Sequence, residues 1–204
     1  MELRLLGPVE LWDGADQVTL GRMKERSLLG VLALSSGKPV GVRVLIEALW
    51  DDSPPGNVRK DIQIYVSRLR RYLRDAGASA EIATRQDTYV FQPHGDSVDY
   101  VQFKNLLKAG RGAQREKRFD DAAELLYQGV ALWQGRAVGD LTTVWMEQRR
   151  EELDSYDRFV GYHVLCEVEL ERGNYPEVLQ LLDEIGESHD LDSIYIAQRL
   201  GRVS

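Results

Sequence analysis

One cysteine, Cys166, leaves no partner for an internal disulfide, which excludes a bridge-stapled scaffold and fits a reducing compartment. Long apolar runs are also missing, and no stretch is long enough to span a bilayer. Arg22-Met-Lys24-Glu25-Arg26 before the apolar run Leu28–Leu34 resembles an export signal, but it starts far from Met1 and contains Glu25. It reads as a core helix. Histidine is scarce, with three in 204 residues. His163 and Cys166, three apart on a helix, would give a metal two ligands and no third or fourth in reach, so core packing is the better reading. His94 and His189 sit in expected loops. No GxSxG, HExxH, Walker A or GxGxxG pattern occurs. The carboxylates Glu147, Glu151, Glu152, Asp154 and Asp157 read as a solvated helix face paired with Arg149, Arg150 and Arg158, without the apolar pocket that tunes a catalytic acid. The expectation is no enzyme, no cofactor and no metal.

Positive charge is in deficit overall, 26 Lys+Arg against 33 Asp+Glu for a net of −7, which argues against a general polyanion binder. Its distribution is uneven. Residues 1–95 hold 13 basic and 12 acidic side chains, while residues 96–204 hold 13 and 21. The second half is therefore suited to protein contacts more than to nucleic acid. Between residues 59 and 74 six basic side chains face a single acid, Asp61.

That basic segment lies in PPGNVRKDIQIYVSRLRRYLRDAG, residues 54–77. The prolines suit a helix start and Gly77 its end. Val58, Ile62, Val66, Leu69 and Leu73 form one apolar stripe at the helical period, the expected buried side. Turning by about 100° per residue places Lys60, Ile64, Ser67, Arg68 and Arg71 on the outward face. A solvated basic face explains the charges but not Ile64. An isoleucine among basic residues suits a thymine methyl in the major groove, with arginines on guanine edges and phosphates around it. This is the pattern of a recognition helix.

The surrounding order fits. Glu2–Trp12 and Gln17–Leu20 read as two or three short strands, Met23–Ser36 and Val42–Trp50 as helices, and Glu81–Thr84 with Tyr89–Gln92 as a hairpin. The expected plan is a winged helix-turn-helix with an added N-terminal sheet, the third helix in the major groove and the hairpin tip, with Arg85, on the backbone or minor groove. Trp50 ends the second helix and serves as core or as a phosphate contact through its ring N–H. Residues 93–97 read as a short boundary. Beyond them helices are expected over Val98–Lys117, Phe119–Trp133, Val144–Arg172, Tyr175–Glu187 and Leu191–Leu200. Phe119-Asp-Asp-Ala-Ala-Glu-Leu-Leu126 echoes Tyr175-Pro-Glu-Val-Leu-Gln-Leu-Leu182, as in tetratricopeptide-like hairpins. The offset of 56 residues departs from the usual ~34, so the repeats are irregular. Trp133 and Trp145, flanking the glycine-containing interruption 134–139, are expected to pack between helices, with a ligand groove as the weaker reading. The fold class is thus α+β, an N-terminal winged helix-turn-helix (1–95) followed by an all-α tetratricopeptide-like helical domain (98–204).

LRLLGPVELWDG, RSLLGVLAL, LIEALWDDSPP and above all YVSRLRRYL, in this order, resemble the N-terminal domain of the Streptomyces antibiotic regulatory protein (SARP) family, whose DNA-binding domain is of the OmpR type. ALWQGRAVGDL and the helix-rich run after it resemble that family's bacterial transcriptional activation domain. The resemblance implies DNA contacts at Lys60, Ile64, Ser67, Arg68, Arg70 and, in the wing, Arg85; Arg71 is added by the helical wheel. The wing departs from the family pattern, with Thr88 in place of a glycine and Asp87 adding negative charge where phosphate would sit. The family's second domain carries several more helices, so the chain is expected to be truncated or a short form. Implied partners are double-stranded promoter DNA, RNA polymerase with its sigma factor, and a second protomer on tandem direct repeats, in the cytoplasm and away from any membrane. The expected role is activation of secondary-metabolite genes. The competing reading is a protein-interaction scaffold or regulator whose winged helix no longer binds DNA, supported by Asp87, Thr88 and the acidic total; a small-molecule effector in the helical half is a third.

Overall fold

A computed structural model describes the chain over residues 1–188. The expected helix Leu191–Leu200 and His189 lie outside the described residues. The chain divides into two compact units, Met1–Phe103 with Leu132–Glu152, and Lys104–Ala131 with the chain from Leu153 onward.

In the first unit, β1 (Glu2–Arg4), β2 (Glu10–Asp13) and β3 (Asp16–Val18) form an antiparallel meander. Gly7-Pro8 breaks the chain between β1 and β2, and Gly14, at φ 58, makes the tight turn before β3. The fourth strand is β7 (Ser97–Val98), parallel to β1 in the order β3-β2-β1-β7. Residues 93–97 are therefore more than a boundary, because Ser97 enters the sheet. Two residues carry no alternation, so a strand this short leaves no sequence signal. Three helices lie after β3 in the chain: α1 (Met23–Leu34), α2 (Val42–Trp50) and α3 (Val58–Asp75). The second sheet, in the order β4-β6-β5, joins β4 (Val40–Gly41) to the hairpin β5 (Glu81–Arg85) and β6 (Thr88–Gln92). Helix α3 starts three residues after Pro55, on Asn57 as its N-cap, because the Pro-Pro-Gly run is used by the loop. Ile62, Val66, Leu69 and Leu73 are buried as the stripe requires, each contributing about 2 kcal/mol. Val58 at the helix start is only half-buried.

Leu132–Glu152 belongs to this unit. Its backbone donates from Gln134 to Leu6 O, from Val138 to Leu5 O and from Gly139 to Gly7 O. The Asp140 carboxylate accepts from the Val9 N–H at 2.9 Å and pairs with Arg26 at 2.8 Å. Thr143 hydroxyl donates to Ala48 O at 2.8 Å. Val138 adopts φ 46, a left-handed conformation unusual for a β-branched residue. Arg150, from α6 (Val144–Glu152), holds that bend by donating to the carbonyls of Ala137, Val138 and Leu141, and pairs with Glu147 at 2.5 Å. At the start of α4 (Asp99–Arg115), the Asp99 carboxylate accepts the N–H groups of Leu5, Leu6 and Tyr100 at 2.7, 2.8 and 2.6 Å. Burial pushes its carboxyl up to about 6, against the opposing pull of those three donors. Trp133 is buried and meets Phe103 edge-on at 5.3 Å, whereas Trp145 is half-buried.

The second unit holds most of α4, then α5 (Phe119–Val130), a π-helical turn (Leu153–Arg158), α7 (Phe159–Glu171) and α8 (Tyr175–Ser188). The echo extends into the turns before α5 and α8. Lys117 and Gly173 both have positive φ, 59 and 73. Around them Arg118 N–H bonds Ala113 O as Asn174 N–H bonds Glu169 O, and Lys117 N–H bonds Gln114 O as Gly173 N–H bonds Leu170 O. Each pair keeps the 56-residue offset, so the two helical hairpins are built alike. At Gly110 a Cβ would lie 2.7 Å from Leu126 Cγ, and glycine there lets α4 and α5 approach closely.

The expected single helix Val144–Arg172 is interrupted by the π-helical turn. The solvated-face reading of the carboxylate run holds for Glu147, Glu151 and Glu152, which are exposed, and fails within the turn, whose shifted register brings Asp154 and Asp157 inward. Asp154, Asp157 and Arg150 are buried, and Lys104 reaches Asp157 at 3.1 Å. Cys166 is buried, its thiol pushed up to about 11 chiefly by burial, and His163 Nδ1 is 3.8 Å from Glu167. Among the described residues, no helix is long and apolar enough to cross a membrane.

Candidate nucleic-acid interface

Lys60, Ile64, Ser67, Arg68 and Arg71 are all exposed on one side of α3. The buried stripe fixes that orientation: once Ile62, Val66 and Leu69 enter the core, residues about half a turn away must face water. Ile64 is 38% exposed. The guanidinium of Arg71 lies 5.6 Å from the Tyr72 ring centroid, a cation–π arrangement.

Arg59 and Arg70 of the same helix have partners of their own. Arg59 pairs with Asp87 at the hairpin tip through both Nη atoms, which holds the Asp87 carboxyl below the usual carboxylate range and raises the Arg59 guanidinium. The negative charge of Asp87 is thus met by an arginine of α3. Arg70 donates from Nε and Nη2 to Ile82 O at 2.8 and 2.6 Å and from Nη2 to Thr84 Oγ1 at 2.7 Å. The structure places Arg70 against the hairpin, not on the outward ridge. Two arginines therefore lace α3 to the wing, one at its tip and one along β5. Arg85 is exposed at the end of β5, opposite Thr88, and Gln86 at φ 52 supports the two-residue tip.

Arg68 is 48% exposed and bonds Glu25 of α1 at 2.6 Å, which raises its guanidinium further. Glu25 also accepts the Arg22 N–H at 3.0 Å and the Tyr72 hydroxyl at 3.2 Å. Sequence reasoning missed this acid. Its position three residues after Arg22 is that of the glutamate in a capping box, a signal hidden because Arg22 is no Ser or Thr. Trp50 is half-buried and stacks on Tyr65 at 6.1 Å, with Lys24 Nζ 5.6 Å from its ring centroid. Its packing role is accounted for, and it lies at the end of α2, next to the loop into α3.

A helix-turn-helix, a laced wing and an appended helical domain define a winged-helix transcriptional regulator as the class. The comparisons with known proteins narrow it. Residues 98–201 match the family described as bacterial transcriptional activator domain, and residues 16–89 match that described as transcriptional regulatory protein, C terminal. The chain belongs to the bacterial transcriptional activator domain family, and its pairing of that domain with an OmpR-type winged helix is the domain arrangement of SARP-type regulators. It is similar to the transcriptional regulatory protein MoaR1 of Mycobacterium tuberculosis, at 26% identity over 197 residues, 93% of this chain and 62% of MoaR1. It is also similar to the regulatory protein DnrI of Streptomyces peucetius, at 26% over 220 residues, 100% of this chain and 80% of DnrI. The solved structure of Mycobacterium tuberculosis EmbR in complex with a low affinity phosphopeptide superposes with a TM-score of 0.83 at 29% identity, covering 93% of this chain and 50% of that one. The chain thus spans between half and two thirds of the length of MoaR1 and EmbR.

Proposed function

We propose that this regulator is a sequence-specific DNA-binding activator, with α3 reading the major groove through Lys60, Ile64, Ser67, Arg68 and Arg71. Arg85 of the wing contacts the adjacent backbone or minor groove, and Arg70 and Trp50 contribute at the phosphate flank. The observation that carries this reading is Ile64, held in water in the middle of a basic ridge by a buried stripe on the other side of the helix. Such a side chain gains nothing from solvent and matches a thymine methyl.

Two copies bind tandem direct repeats about one helical turn apart, so that both recognition helices address the same side of the duplex. The helical half, acidic where the winged helix is basic, contacts the second protomer and RNA polymerase with its sigma factor, and activation follows from those added contacts without chemistry. Secondary-metabolite genes in the cytoplasm are the natural targets of a SARP-type activator.

The scaffold reading draws on Arg59, Arg68 and Arg70, whose charges are already engaged by Asp87, Glu25 and the hairpin. A mobility-shift assay with random duplex DNA followed by rounds of selection separates the two. Enrichment of a repeated half-site supports the activator, and retention of no sequence over random duplex defeats it.

A further inference from the structure

Glu25 sits beneath the ridge with 2% of its side chain exposed. Keeping a carboxylate there is costly unless it is paired and hydrogen-bonded, and three donors converge on it: Arg22 N–H, Arg68 Nη1 and the Tyr72 hydroxyl. Room for it is made by Gly21. A Cβ at that position would lie 1.4 Å from Glu25 Oε2 and 2.7 Å from the Tyr72 hydroxyl, although Gly21 is not among the glycines with positive φ. A glycine kept for space, a buried acid and an aromatic hydroxyl are thus assembled around one half-exposed arginine.

We propose that Glu25 is a positioning residue for base reading: it takes one Nη of Arg68 and so aims the remaining guanidinium edge at a guanine in the groove, without itself touching DNA. This rests on the reading of α3 as a recognition helix. Arginine loses rotamer freedom when it docks, and an arginine fixed in advance loses less. The pairing also neutralises Arg68, so the residue adds little to sequence-independent phosphate attraction and acts mainly in discrimination. Nε and Nη2 remain for the O6/N7 edge that arginine forks recognise.

The test uses the full chain, the selected duplex and a set in which each base pair is replaced in turn. Arg68→Ala first locates the base pair whose replacement ceases to matter. At that base pair Glu25→Gln, which keeps the shape and removes the charge, is expected to lower discrimination about tenfold, with affinity for random duplex equal or higher. The double variant Glu25→Gln/Arg68→Ala is expected to match Arg68→Ala alone. Tyr72→Phe, which removes one hold on Glu25, is expected to lose two- to threefold at the same base pair, roughly one step of the same effect, and carries the test if Glu25→Gln does not fold. If the acid variant raises affinity for all duplexes alike and leaves the ratio intact, Glu25 is only a nearby negative charge and the proposal is overturned. A parent chain that discriminates at no base pair would instead bring down the recognition-helix reading, and this proposal with it.

Discussion

Replacing Arg150 by Met keeps the length of the side chain and removes its guanidinium, which should loosen the segment that packs against the N-terminal sheet. Arg150 is only 3% exposed on its side chain, so water cannot stand in for it. The carbonyls of Ala137, Val138 and Leu141 lose charge-assisted donors together. Val138 O keeps the Leu141 N–H, so at about 1–3 kcal/mol for each buried acceptor that loses its donor the ceiling is below three such losses, and the bend at Val138 can relax once its clamp is gone. Glu147, half-exposed, keeps its water, so no buried charge is orphaned. The expected net loss is about 2–4 kcal/mol. All four tryptophans, Trp12, Trp50, Trp133 and Trp145, lie in the first unit, so urea unfolding followed by tryptophan fluorescence reads this unit alone. A loss below about 1 kcal/mol would show that the clamp contributes little and that the segment is held by its backbone bonds to Leu5, Leu6 and Gly7.

Asp99 makes stability depend on pH. Its folded carboxyl, at about 6, holds a proton more tightly than the unfolded one, near 4. Its unfavourable contribution therefore grows as pH rises from about 4 to about 6 and is complete above, up to about 3 kcal/mol; in Asp99→Asn the downward slope across that window should vanish in fluorescence-monitored denaturation. Gly110→Ala should push on Leu126 and cost the second unit about 1–2 kcal/mol, overpacking outweighing better helix propensity, visible as faster amide exchange in α4 and α5. Lys60→Ala should weaken binding to all duplexes alike and reduce the salt slope of log K by about one.

Much of the architecture was legible because it is periodic. Val42–Trp50 was bounded to the residue by its apolar spacing and the Asp-Asp-Ser-Pro-Pro stop, and the stripe of α3 gave the exposed ridge. The echo between α5 and α8 was visible as letters, and its turns were not, since Lys117 and Gly173 share a conformation without sharing a residue type. What escaped were contacts between distant positions. Glu25 meets Arg68 across 43 residues and Asp99 meets Leu5 across 94, and no local pattern announces either. Asp154 and Asp157 read as members of a solvated face because a uniform helical period hides the π-helical turn they occupy, while Arg150, which precedes that turn, is drawn inward by three distant carbonyls. Arg70 enters the expected contacts through the resemblance, and its place on the wheel, apart from the ridge, agrees with its position against the hairpin.

The central claim is that the ridge around Ile64 lies in the major groove, and thymine-to-deoxyuridine substitution tests it most directly. The exchange deletes one methyl group at a time from the selected duplex and leaves its base pairing intact. The account predicts at least one thymine whose demethylation weakens binding by about 0.8 kcal/mol, and predicts that Ile64→Ala abolishes the penalty at that thymine alone. If no demethylation weakens binding, or if the penalty persists unchanged in Ile64→Ala, the ridge does not read the groove.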